Sequence, residues 1–128
     1  MRRSLRLLLN DEPDIEVIAE SGELSTAIDQ VRSLRPQVLV LDVRMPDGSS
    51  MDVVRELRAQ APSTGIVVIT MHEGRAFARQ AHQAGALGFV LKDTADDELP
   101  EAVRRAARGE SYTSPRVSPQ IVRLRPVS

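Results

Sequence analysis

The run Gln37-Val38-Leu39-Val40-Leu41-Asp42 decides the fold. Its centre is apolar without alternation, and Pro36 stands directly before it. A continuous, β-branched run of this length reads as a strand buried on both faces, as in a parallel sheet covered by helices. Gly65-Ile66-Val67-Val68-Ile69-Thr70 repeats the pattern, and Gly88-Phe89-Val90-Leu91-Lys92 is a shorter copy. Upstream, Ile15-Glu16-Val17-Ile18-Ala19 is half alternating and predicts a further strand. Between the runs, apolar residues recur at helical spacing. Ala27, Ile28, Val31 and Leu34 form one stripe, and Met51, Val54, Leu57 and Ala61 another. Phe77, Ala78 and Ala81 form a thinner one, and Leu99, Val103, Ala106 and Ala107 the last. Strands alternating with helices predict an α/β fold with a doubly wound parallel sheet and right-handed crossovers.

The last helix has recognisable ends. Thr94 with Asp97 resembles a capping box, and Gly109 stands where a helix stop is expected. Pro100 argues for a start at Asp96, which would bring the proline nearer the tolerated first turn. After Gly109, Pro115, Pro119 and Pro126 lie among Ser and Arg, so residues 110–128 read as a linker or tail.

The composition of the 128-residue chain excludes several classes of function. Net charge is −1, which supplies no basic excess for nucleic acid. Cysteine is absent, which removes disulfides, thiolate zinc sites and cysteine nucleophiles and suits a reducing cytoplasm. No apolar run reaches the roughly 18 residues of a membrane span, and the N-terminus lacks the pattern of a signal peptide. Phe77, Phe89 and Tyr112 are the only aromatics, too few for base stacking. His72 and His82 lack metal-ligand spacing. No phosphate-binding glycine loop or Gly-x-Ser-x-Gly motif occurs.

Ligands of open parallel sheets bind at the carboxyl ends of the strands. Asp42, Thr70 and Lys92 end three of the runs, and Lys92 is the only lysine of the chain. A carboxylate, a hydroxyl and an ammonium on one rim suggest a phosphoryl site. The carboxylate would be the nucleophile, while ammonium and hydroxyl hold phosphoryl oxygens. Taken singly, each has a plainer reading: a turn residue, a β-former and a solvated lysine.

Three segments together resemble the receiver domain of bacterial response regulators. They are Val40-Leu41-Asp42-Val43-Arg44-Met45-Pro46, Val67-Val68-Ile69-Thr70-Met71-His72 and Ala84-Gly85-Ala86-Leu87-Gly88-Phe89-Val90-Leu91-Lys92-Asp93. The Thr-Met-His and Leu-Lys-Asp variants, with Arg108-Gly109-Glu110-Ser111-Tyr112, look like the NarL/FixJ type of transcriptional regulator. The resemblance implies a flavodoxin-like (CheY-like) fold, with residues 1–109 as an incomplete receiver domain. It implies that Asp42 is the phosphoacceptor, Thr70 the switch hydroxyl, Phe89 the switch aromatic and Lys92 the phosphoryl contact. It further implies Mg2+, held by Asp42 and the backbone carbonyl of Arg44. A histidine kinase would be the phosphoryl donor in the cytoplasm, and a homodimer one form of output. DNA would be reached only through a C-terminal helix-turn-helix domain that this chain does not contain. Phosphorylation would shift a two-state equilibrium at the face of the last helices and strand.

The sequence departs from this family at its front. The family begins with a central strand that ends in an acidic pair. Here Leu5, Leu8 and Leu9 form a helical stripe that resembles the end of the family's first helix. The first strand, part of that helix and the acidic pair are therefore expected to be missing, and the native start to lie upstream. Asp11, Glu12 and Asp14 precede the Ile15 run, at the wrong end of a strand for the rim, and read as a solvated turn. Asp47-Gly48-Ser49-Ser50 also departs from the usual glycine placement. Two other classes of function remain to be weighed. One is a receiver-like interaction module or gene fragment that is never phosphorylated. The other is an aspartate-nucleophile phosphatase, which would carry a second Asp where Arg44 stands.

Overall fold

In the computed structural model, residues 2–19, 24–43, 48–71 and 75–114 are described. The elements run α1 (Arg2–Asn10), α2 (Leu24–Leu34), β1 (Val38–Asp42), α3 (Gly48–Gln60), β2 (Gly65–Thr70), α4 (Arg75–Ala84), β3 (Gly88–Leu91), a 3-10 turn (Lys92–Thr94), α5 (Ala95–Ala107) and β4 (Tyr112–Thr113). The four strands pair in the order β1-β2-β3-β4, every pair parallel. This is the doubly wound sheet that the continuous apolar runs predict.

Each face of the sheet carries its own core. On one face, Met51, Val54 and Leu57 of α3 and Phe77, Ala78 and Ala81 of α4 pack on Ile66, Val68, Phe89 and Leu91. On the other, Leu9 of α1 and Leu99, Ala102 and Ala106 of α5 pack on Val67, Ile69 and Val90. Strand β2 is buried at every position, whereas all of β1 is half-buried, as befits a strand with one neighbour among the described residues. Helix α5 lies so close to β2 that a Cβ on Gly65 would stand 2.7 Å from the Ala106 carbonyl oxygen.

The stop at Gly109 is built as the sequence suggests. Gly109 has φ +76°, which glycine adopts without the Cβ penalty. Its N–H donates to Ala106 O, and the N–H of Glu110 donates back to Arg105 O, a Schellman closure. The start differs from expectation. Thr94, not Asp96, is the cap residue, and it makes no side-chain capping bond. Its hydroxyl turns back toward Leu91 O. Pro100 therefore lies inside α5, beyond the first turn, and is buried. The 3-10 turn fixes where α5 begins, and this overrides the local preference of the proline.

Two further expectations are corrected. Ile15–Ala19 is not a strand. The Val17 N–H donates to Asn10 Oδ1, and Ile15 and Val17 lean on the α5-side core. The acids before this segment hold it there. Arg104 of α5 bonds Glu12 at 2.6 Å and both oxygens of Asp14 at 2.9 and 3.0 Å. Those acids stand in an exposed turn, as expected, and Glu12 and Asp14 add to it an ion-paired tie between the turn after α1 and α5. Beyond Gly109, Tyr112-Thr113 joins the sheet as β4 beside β3, so part of the expected tail is folded.

The Arg104 guanidinium beside Asp14 holds its carboxyl below the usual carboxylate range. A depressed folded-state value stabilises the fold above the unfolded value of about 3.9 and is lost as pH falls through the folded one. Arg104→Gln should therefore lower stability near neutral pH. Its deficit against wild type should shrink below about pH 4 in urea titrations at both pH values. A deficit independent of pH would mean that the charge pair is not its source.

Candidate functional site

Parallel pairing puts the ends of β1, β2 and β3 on one rim. Asp42 is the last residue of β1 and pairs in register with Ile69. Thr70 follows at the end of β2. Strand β3 stops at Leu91, so Lys92 opens the 3-10 turn instead of ending the strand. That turn carries the ammonium over the end of β2. Lys92 Nζ stands 2.9 Å from Asp42 Oδ1, with side chains 12% and 20% exposed. The two residues singled out as carboxylate and ammonium are thus in contact, although β1 and β3, which lead to them, are not neighbours.

Asp42 Oδ1 is buried and takes no hydrogen bond of good geometry. Among the described residues its charged neighbour is Lys92, and the ion pair leaves acceptor capacity unused. The carboxylate as a whole keeps 20% of its surface exposed, which is its access to an arriving group.

Thr70 is fully buried. Strand alternation puts it on the face of Ile66 and Val68, which it shares with Phe89 and Leu91. Phe89 is also fully buried, inside the sheet face and not at the rim. Its ring meets that of Phe77 edge-on, with centroids 5.7 Å apart and planes at 79°. Phe77 was legible only as part of a helical stripe, although it is one of just three aromatics in the chain. Beside Thr70, Met71 leaves 69% of its surface exposed on the rim. Arg44, with the expected carbonyl ligand, lies outside the described residues, as do Met45, Pro46, Asp47 and His72.

The fit to Mg2+ rests on few groups. Among the described residues no set of three or more His, Cys, Asp or Glu side chains could hold a metal ion. Glu12 and Asp14 are engaged by Arg104. Asp42 supplies one carboxylate, 20% exposed at the end of β1. That suits a Mg2+ that takes most of its ligands from phosphoryl oxygens and water.

His82, from the last turn of α4, points to the other end of the sheet. Its Nδ1 lies 2.9 Å from Ala86 O and its Nε2 2.9 Å from Thr113 Oγ1. Among the described residues no helix is long and apolar enough to cross a membrane.

Comparison with known proteins agrees with this geometry. The family model of the response regulator receiver domain matches residues 1–104. The nitrate/nitrite response regulator NarP of Escherichia coli is 36% identical over 118 residues, covering 92% of this chain and 55% of NarP. The DNA-binding transcriptional activator DevR/DosR of Mycobacterium tuberculosis is 35% identical, covering 92% of this chain and 54% of the activator. The chain thus spans about half the length of the curated relatives it matches. The crystal structure of a LuxR-family two-component response regulator from Aurantimonas superposes with a TM-score of 0.82. It is 31% identical, and the match covers 91% of this chain and 84% of that one.

Lys92→Met would leave the Asp42 carboxylate partly buried beside no cation. Stability should fall by about 1–3 kcal/mol in urea unfolding. Adding Asp42→Asn should recover part of that loss, and strictly additive losses would show that the pair is not coupled.

Proposed function

Because the chain belongs to the response regulator receiver domain family, in its NarL/LuxR branch, we propose that it accepts a phosphoryl group on Asp42 from a histidine kinase. The observation that carries this reading is the Asp42–Lys92 contact, a 2.9 Å ion pair between a largely buried carboxylate and the ammonium beside it at the strand ends. A carboxylate oxygen of Asp42 attacks phosphorus. The bond from phosphorus to the donor imidazole nitrogen breaks, and the imidazole keeps the electron pair and takes up a proton. The product is an acyl phosphate on Asp42.

Lys92 serves both states. Before transfer it offsets the carboxylate. Afterwards its ammonium needs to move only from a carboxylate oxygen to a phosphoryl oxygen. The Thr70 hydroxyl donates to another phosphoryl oxygen. This displacement takes Thr70 from the face it shares with Phe89, which couples the rim to the ring pair Phe77–Phe89. A bound Mg2+ would supply further positive charge for the phosphoryl oxygens, with Asp42 and the Arg44 carbonyl as its ligands from this chain. In our reading the reaction takes place in the cytoplasm. The transcriptional output lies in the portion of the relatives that this chain does not span, reached through a homodimer or through contact with that portion.

A second reading is an interaction module that is never phosphorylated. It is favoured by the lack, among the described residues, of a set of three or more acidic, His or Cys side chains that could hold a metal ion. The Asp42–Lys92 pair weighs against it, since an interaction surface has no use for a desolvated carboxylate with an open acceptor.

Intact-mass analysis after incubation with acetyl phosphate and Mg2+ separates the two. We expect one phosphoryl adduct in wild type, labile to hydroxylamine, and none in Asp42→Asn. An adduct that survives the substitution would place the acceptor elsewhere. Complete lack of an adduct in a folded wild-type chain would favour the interaction module.

A further inference from the structure

Tyr112, Thr113 and Ser114 lie at the opposite end of β3 from Lys92, and each side chain is tied to a helix. The Tyr112 hydroxyl donates to Glu98 Oε1 at 3.0 Å, and the Ser114 hydroxyl donates to Glu98 Oε2 at 3.0 Å. Both oxygens of one α5 carboxylate are therefore used. Burial, with Glu98 beside it, pushes the Tyr112 phenol up to about 12, so it remains a donor at neutral pH. The Arg105 guanidinium lies 5.6 Å from the Tyr112 ring centroid. Between these two residues, Thr113 reaches α4 through His82 Nε2. In the neutral imidazole, Nδ1–H donates to Ala86 O, which leaves Nε2 to accept from the threonine hydroxyl. Ser114 is 1% exposed.

The backbone holds the same segment to β3. Tyr112 N–H donates to Leu87 O at 2.9 Å, and Ser114 N–H donates to Phe89 O at 2.8 Å. The strand itself is only two residues long. Its connection is also unusual. Helices α3 and α4 lie on one face as the chain steps from β1 to β2 to β3. The next step continues in the same direction, but through α5 on the opposite face. The β3-α5-β4 crossover therefore has the opposite hand to the two before it, and parallel crossovers keep one hand in about 98% of cases. Beside the packing of Tyr112 on the α5-side core, the side-chain ties to α4 and α5 seat β4.

We propose that Tyr112-Thr113-Ser114 is a releasable clasp. It stays paired to β3 only while α4 and α5 keep their present spacing, and its release passes a change at the phosphoryl rim to the segment after Ser114. The route is short. Phe89 packs on Phe77 of α4, the helix that carries His82, and the Phe89 carbonyl itself holds Ser114. A shift of the Phe77–Phe89 pair thus acts on the clasp from two sides. This inference rests on the phosphoacceptor reading of Asp42, and it sets the end of the switching unit at Ser114 instead of Gly109.

Hydrogen exchange on the full chain tests it, with intact mass recorded on the same samples. In the resting protein, His82→Ala and Glu98→Ala should each speed exchange across Tyr112–Ser114 about tenfold, while Ile66–Ile69 of β2 keeps its protection. Retained β2 protection also shows that each variant is folded. Tyr112→Phe, which deletes one hydroxyl, should give a smaller effect in the same place. Phosphorylated wild type should show the same selective acceleration. If His82→Ala leaves Ser114 protected, α4 does not control the strand and the clasp is wrong. If the adduct forms and Tyr112–Ser114 does not loosen, the clasp fails while the phosphoacceptor reading stands. If no adduct forms in folded wild type, that reading fails, and the relay falls with it.

Discussion

Val67, Val68 and Ile69 have no exposed surface, and Ile66 has almost none. Four such residues in sequence must be covered on both faces, because alternate side chains point to opposite sides. Helices α3 and α4 meet this need on one side, and α1 and α5 on the other. With β2 held in this way, β1 and β3 pair to its two edges in parallel, and their carboxyl ends have nowhere to go but the same rim. The chemistry of Asp42, Thr70 and Lys92 is a consequence of that burial.

At the rim, charge is arranged with little surplus. Lys92 neutralises Asp42, yet Asp42 Oδ1 keeps an unused acceptor. A pair saturated with hydrogen bonds would be more stable and less reactive. The 3-10 turn places Lys92 directly after β3, and its side chain spans the end of β2 to meet Asp42. Behind it, the Phe77–Phe89 contact gives the apolar face under Thr70 a defined shape. A change in Thr70 has a specific neighbour to displace.

Away from the rim, polar side chains tie down segments that apolar packing leaves loose. Arg104 grips Glu12 and Asp14, and so fastens the stretch after α1 to α5. Glu98 and His82 fasten Tyr112–Ser114. The two ties differ in kind. Arg104 is an exposed ion network, screened by salt and sensitive to acid. The ties at Tyr112–Ser114 are hydrogen bonds from three consecutive residues to two helices, part-buried at Glu98 and exposed at His82, which makes the short strand responsive to the spacing of those helices.

Much of this was legible in the amino-acid order. The unalternating runs at 37–42, 65–70 and 88–92 announced parallel strands, Gly109 announced the end of α5, and the spaced motifs around Asp42, Thr70 and Lys92 announced the receiver family. Local patterns suffice for these, since burial on both faces, a left-handed glycine and a rim residue each leave a mark on a few adjacent positions. Ile15–Ala19 was misread because a strand exists only where an edge accepts it, and Arg104 and Asn10 hold that segment elsewhere. The cap of α5, the ring contact of Phe77, the Arg104 tie and the β4 strand were likewise invisible, since each joins residues that lie far apart in the chain or depends on where a preceding turn happens to end. Sequence alone determined which residues must be buried and which chemistry stands at the strand ends, because those are properties of single positions and short periods. Only the tertiary structure decided that Lys92 touches Asp42 and that Glu98 and His82 close on Tyr112–Ser114, because such contacts depend on register and helix placement that no local stretch encodes.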